Sequence, residues 1–107
     1  MSKAKPFQIV YHEFVADCLD WVESRDVRRV RETIDEQLSW EPLTQTRNRK
    51  KMKKEAFGRD TWELRFDAYR VIYEADGRER TVTVLAVGVK AREKFLVAGK
   101  ELEEYLR

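Results

Sequence analysis

The spacing of hydrophobic positions changes twice along this chain, and each change marks a change of element. Phe7-Gln8-Ile9-Val10-Tyr11 predicts a short strand entering the fold. From Phe14 the spacing turns helical, with Phe14, Val15, Cys18, Leu19 and Val22 on one face. Ser24-Arg25-Asp26 interrupts it, and Asp26 is the expected N-cap of a second helix. In that helix Val27, Val30, Ile34 and Leu38 recur at three and four residues, with charges between them. Pro42 stops it, because the residue before a proline avoids helical geometry. Two helices joined by so short a turn should lie antiparallel, with Trp21 and Trp40 in the core or rim of the hairpin.

Residues 43–61 read as a polar, basic connection, after which the period is two. Trp62, Leu64 and Phe66 alternate with Glu63 and Arg65; Asp67-Ala68 intervenes, and Tyr69 to Glu74 resumes the strand pattern. Asp76-Gly77 marks another turn, and Thr81 to Val89 is the expected central strand. The tail leaves two readings open. Phe95, Ala98, Leu102 and Tyr105 have helical spacing, but Gly99 interrupts it and Phe95-Leu96-Val97 also suits extended chain. The order β-α-α-β-β-β-(α) predicts one α+β domain over residues 1–107, a helical hairpin packed on a small, mostly antiparallel sheet.

Composition narrows the class. Charged residues make up 39% of the 107, yet five Phe, four Tyr and three Trp supply enough buried area to argue against disorder. No run approaches the roughly 18 uncharged apolar residues of a membrane span. Met1 to Pro6 has no apolar stretch of the kind a secretory signal needs. One cysteine, Cys18, excludes an internal disulfide framework and a multi-cysteine zinc site, and one histidine, His12, adds little to any other metal site. Neither a metal nor a cofactor is expected, nor a membrane; the setting reads as reducing and cytoplasmic.

The net charge of +2 conceals an uneven distribution. Residues 47–59 hold Arg47, Arg49, Lys50, Lys51, Lys53, Lys54 and Arg59 against Glu55 alone, a net +6, while the flanks are net acidic. Such a segment suits a polyanion, most often nucleic acid, although a solvated basic loop fits the charge equally well.

Strand register supplies a second candidate site. With Asp67-Ala68 as a two-residue turn, Arg65 faces Arg70 and Leu64 faces Val71. Trp62, Leu64, Phe66, Tyr69, Val71 and Tyr73 then share one apolar face, and Glu63, Arg65, Arg70 and Ile72 share the other. Opposed arginines repel by a few tenths to about 1 kcal/mol. An anion between them removes that cost, and phosphate matches guanidinium forks. A surface lattice in which Glu63 and another acid neutralise them is the alternative.

The run Trp62-Glu63-Leu64-Arg65-Phe66-Asp67-Ala68-Tyr69-Arg70-Val71-Ile72-Tyr73, followed by Val84-Leu85-Ala86-Val87-Gly88-Val89-Lys90, resembles the RelE/ParE toxin superfamily, with its W-x-L-R … Y-R-V-x-Y hairpin and V-x-x-V-G-x-[KR] strand. Thr46 to Met52 is similar to the basic segment of a RelE-like subgroup. The resemblance implies the toxin of a type II toxin–antitoxin module. RelE-like members cut mRNA in the ribosomal A site; ParE-like members inhibit DNA gyrase without catalysis. A decayed toxin that only binds its antitoxin is a third reading. On the RelE-like expectation, Arg65, Arg70 and Lys90 hold the scissile phosphate and Glu63, held by Arg65, is a candidate base. Arg47, Arg49, Lys50, Lys51, Lys53 and Lys54 grip the RNA backbone. The expected partners are the ribosome, mRNA and an acidic, partly disordered antitoxin. Glu63 stands near where some ribosome-dependent members carry a lysine, and Phe95-Leu96 where they carry a tyrosine, so the phosphate-binding half of a nuclease site is matched and the proton-transfer half is not.

Overall fold

One antiparallel hairpin organises the sheet. The structure, a computed structural model, describes residues 5–53, 57–92 and 94–105. Strand β3 (Trp62–Phe66) pairs with β4 (Tyr69–Asp76) in the register Trp62↔Tyr73, Leu64↔Val71, Arg65↔Arg70 and Phe66↔Tyr69. Asp67 takes φ 51° at the first turn position, a conformation that aspartate tolerates better than most residues. Strand β5 (Thr81–Ala91) lies beside β4 and is the centre of the sheet. Its opposite edge is shared: β1 (Gln8–Tyr11) pairs parallel with Thr81 to Val84, and β6 (Lys94–Val97) pairs antiparallel with Gly88 to Ala91. The remaining edges are β2 (Arg49–Lys51) against β3 and β7 (Lys100–Glu101) against β6.

Helices α1 (Phe14–Leu19) and α2 (Ser24–Leu38) pack on this sheet, the α+β arrangement expected from the sequence. Val30, Ile34 and Leu38 of α2 are fully buried with Leu64, Val71, Tyr73, Val82 and Val84. Each such side chain contributes roughly 1.5–3 kcal/mol of burial. The hydrophobic stripe of α2 therefore faces the apolar face of the β3–β4 hairpin.

Several details differ from expectation. The helix begins at Ser24, so Asp26 sits in its first turn and is not the N-cap; its carboxylate accepts a hydrogen bond from the Tyr69 hydroxyl instead. Trp21 and Trp40 are 64% and 55% exposed and belong to the rim, not the core. The basic connection contains the three-residue strand β2. The tail forms the β6–β7 hairpin, with Ala98 and Gly99 both at positive φ, and then a single 3₁₀ turn over Leu102–Tyr105. That turn is all the helix the tail makes within the described residues. Among those residues no helix is long and apolar enough to cross a membrane.

Candidate functional site

The face of the sheet opposite the Val71 and Tyr73 side chains gathers the charged candidates. Strand alternation places Lys50, Glu63, Arg65 and Arg70 there, because Lys50 pairs with Glu63 and Arg65 with Arg70. Arg70 in turn pairs with Gly88, and Lys90 follows two residues later on the same face. A cleft of about 410 Å³ opens on this side, lined by Lys50, Lys51, Met52, Lys53, Glu63, Arg65 and Glu103.

Each arginine of the opposed pair is held differently. Arg65 Nε donates to Glu63 Oε1 at 2.6 Å, and the Glu63 side chain is only 12% exposed. Arg70 makes no ion pair among the described residues; its guanidinium donates to the Asp67 and Tyr69 carbonyls at 2.9 and 2.8 Å. Burial first, and the facing Arg65 second, lower the pKa of Arg70, with Glu63 acting in the opposite sense. An arginine so placed stays charged. It is a fixed cation with unspent charge, directed to the face where Lys50 and Lys90 also lie.

A clamp behind the hairpin sets its position. The Tyr69 hydroxyl donates to Asp26 on α2, and burial, followed by that hydrogen bond, pushes the phenol up to about 12. Arg29 reaches Asp67 in the turn at 2.6 Å and lies 5.9 Å from the centre of the Phe66 ring. The first turns of α2 thus fix both ends of the β3–β4 turn and, through it, the Arg65–Arg70 pairing.

The basic segment does not act as one surface. Arg47, Lys50, Lys51 and Lys53 are exposed, and the last three line the cleft. Arg49 points the other way. It is 8% exposed, donates to the Gln37 carbonyl in the last turn of α2 at 2.5 Å, and approaches Glu41 at 3.6 Å. Arg49 therefore caps a helix C-terminus and does not share the exposed surface of its basic neighbours. Lys54 lies outside the described residues. Sequence reasoning missed Glu103, which the 3₁₀ turn brings to the cleft from about 40 positions away; nothing in its local sequence marks it. Among the described residues no three His, Cys, Asp or Glu side chains gather as metal donors would.

The comparisons agree with this architecture. Residues 6–93 match the family described as ParE toxin of type II toxin–antitoxin system, parDE. A chain in the toxin–antitoxin complex RelBE2 from Mycobacterium tuberculosis is 28% identical with a TM-score of 0.68, over 85% of this chain and 99% of that one. A chain of the archaeal RelE–RelB complex from Pyrococcus horikoshii OT3 is 25% identical with a TM-score of 0.62, over 80% of this chain and 97% of that one. No curated protein sequence matches the chain.

Proposed function

The chain belongs to the RelE/ParE superfamily of type II toxin–antitoxin toxins, and from that premise we propose that it is a RelE-like, ribosome-dependent mRNA endonuclease that represses translation. The observation that carries this reading is the opposed pair: Arg65 is held by Glu63, while Arg70 keeps its charge unpaired among the described residues beside a cleft with three lysines. A surface lattice would have given each arginine an acid.

In this reading the 2′-hydroxyl attacks the adjacent phosphorus, and negative charge grows on the non-bridging oxygens. Arg70, Arg65 and Lys90 stabilise that charge, and Glu63 fixes the Arg65 fork at the angle the phosphate needs. Lys50, Lys51 and Lys53 hold the flanking backbone, with Arg47 further out. No cofactor is required, and the whole chain acts as one toxin domain in the cytoplasm. Both solved relatives come from toxin–antitoxin complexes, which supports an antitoxin partner here, one acidic enough to cover the basic cleft.

A second reading has its own support, since the matching family is described by ParE: a non-catalytic inhibitor of DNA gyrase. The two separate on one substitution. Arg70→Ala in an inducible expression strain abolishes growth arrest if the protein cuts RNA, with the purified variant still folded by circular dichroism. Growth arrest that survives the substitution, together with blocked supercoiling in a gyrase assay, refutes the nuclease reading in favour of the second.

A further inference from the structure

The nuclease reading needs a group that takes the proton of the attacking 2′-hydroxyl. Two carboxylates line the cleft, Glu63 and Glu103, and they are not equivalent. Glu63 is committed: its side chain is nearly buried and bonded to Arg65 at 2.6 Å. Protonating it would break the ion pair that orients a phosphate-binding arginine. Glu103 is exposed and has no ion-pair partner among the described residues.

Its position is nevertheless defined. Glu103 sits in the 3₁₀ turn between two anchors. Leu102 before it is 8% exposed. Tyr105 after it donates from its hydroxyl to the Val97 carbonyl at 3.3 Å, and its ring lies 5.1 Å from Phe57 and 5.9 Å from Phe14. The Phe57 N–H also donates to the Tyr105 carbonyl at 3.3 Å, which ties the turn to the end of the basic segment. The turn is thus pinned on both sides, and Glu103 between the anchors lines the same cleft as Lys50, Lys51 and Lys53.

We propose that Glu103 is the general base of the cleft and that Glu63 is a positioning residue for Arg65; the inference rests on the nuclease reading. In the step, the 2′-oxygen forms a bond to phosphorus as its proton passes to the Glu103 carboxylate. The bond from phosphorus to the 5′-oxygen breaks, and the leaving oxygen takes a proton from water in the open cleft. The products are a 2′,3′-cyclic phosphate and a 5′-hydroxyl. No redox partner enters. Base removal of this kind contributes about 10²–10⁴-fold.

The test compares wild type, Glu103→Gln and Glu63→Gln. Cleavage of mRNA on programmed ribosomes is timed under single-turnover conditions. Binding of a short RNA whose 2′-hydroxyls are replaced by hydrogen is measured in parallel on the isolated protein. Glu103→Gln should slow cleavage about 100-fold or more with binding unchanged or tighter, because a negative charge has left a basic cleft. Glu63→Gln should weaken binding as well as rate, since it frees Arg65. Glu103→Gln that cuts within threefold of wild type overturns the assignment while leaving the nuclease reading standing. Wild-type protein that cuts nothing on ribosomes overturns both.

Discussion

Arg49 and Lys50 are neighbours in a basic run, yet their replacement should have opposite consequences. Arg49→Ala removes a charged donor from the Gln37 carbonyl and a cation from the C-terminal end of α2. A hydrogen bond from a charged group contributes about 1.5–3 kcal/mol. The helix-dipole interaction adds about 0.3–1 kcal/mol. The contact with Glu41 adds little, because that carboxylate is 63% exposed. We expect a loss of about 2–3 kcal/mol, which at an m-value of about 1.5 kcal/mol/M lowers the urea midpoint by about 1.3–2 M. Lys50→Ala, at an exposed edge position, should stay within about 0.5 kcal/mol of wild type. RNA binding should reverse the order: below the unfolding transition Arg49→Ala binds as wild type does, whereas Lys50→Ala binds more weakly, and its salt dependence flattens by about one phosphate contact. Urea unfolding followed by circular dichroism, with RNA titrations at several salt concentrations, measures both. Arg49→Ala that unfolds at the wild-type midpoint but loses RNA affinity would refute the separation of the basic segment into a structural and a binding side.

Two further predictions concern the scaffold. At Gly88 an added Cβ would lie 2.2 Å from Phe95 Cε1 and 2.8 Å from the Leu96 carbonyl oxygen. The ring can move and the backbone cannot, so Gly88→Ala should destabilise by about 1–3 kcal/mol in thermal unfolding; a wild-type melting temperature would show that β5 and β6 do not approach so closely. Tyr69 has a phenol raised in the folded state from 10 to about 12, so its contribution is complete below pH 10 and is lost as pH rises through about 12. Tyr69→Phe should therefore show a shallower fall in stability than wild type between those limits, and an equal slope would contradict the Asp26 clamp.

The hairpin was legible in the sequence because its signal is redundant. Six apolar residues alternate about one short turn, and only one register places Leu64, Val71 and Tyr73 together. The stripe of α2 was legible for a similar reason, with Val30, Ile34 and Leu38 separated by charges. Elsewhere the determinants are not local. Strand β2 is Arg-Lys-Lys, which has no apolar alternation; it forms because β3 offers an edge and because Arg49 reaches across to α2. In the tail, Ala98 and Gly99 adopt φ of 49° and 80°, the pair of positive values that a tight hairpin turn requires. The helical spacing of Phe95, Ala98, Leu102 and Tyr105 was coincidental to that turn. Of the cleft, Glu63 and Arg65 followed from strand alternation. Glu103 depended on where a distant turn comes to rest, which no spacing along the chain encodes.

On the nuclease reading, opposed arginines beside a basic cleft cut mRNA on the ribosome. The most direct measurement is cell-free translation of a defined mRNA, with new RNA 5′ ends mapped after addition of wild-type or Arg70→Ala protein, and the same mRNA incubated without ribosomes as control. New ends within codons, present only with ribosomes and absent with Arg70→Ala, are the predicted result. Intact mRNA in the presence of folded wild-type protein, or the same cuts with Arg70→Ala, would contradict it.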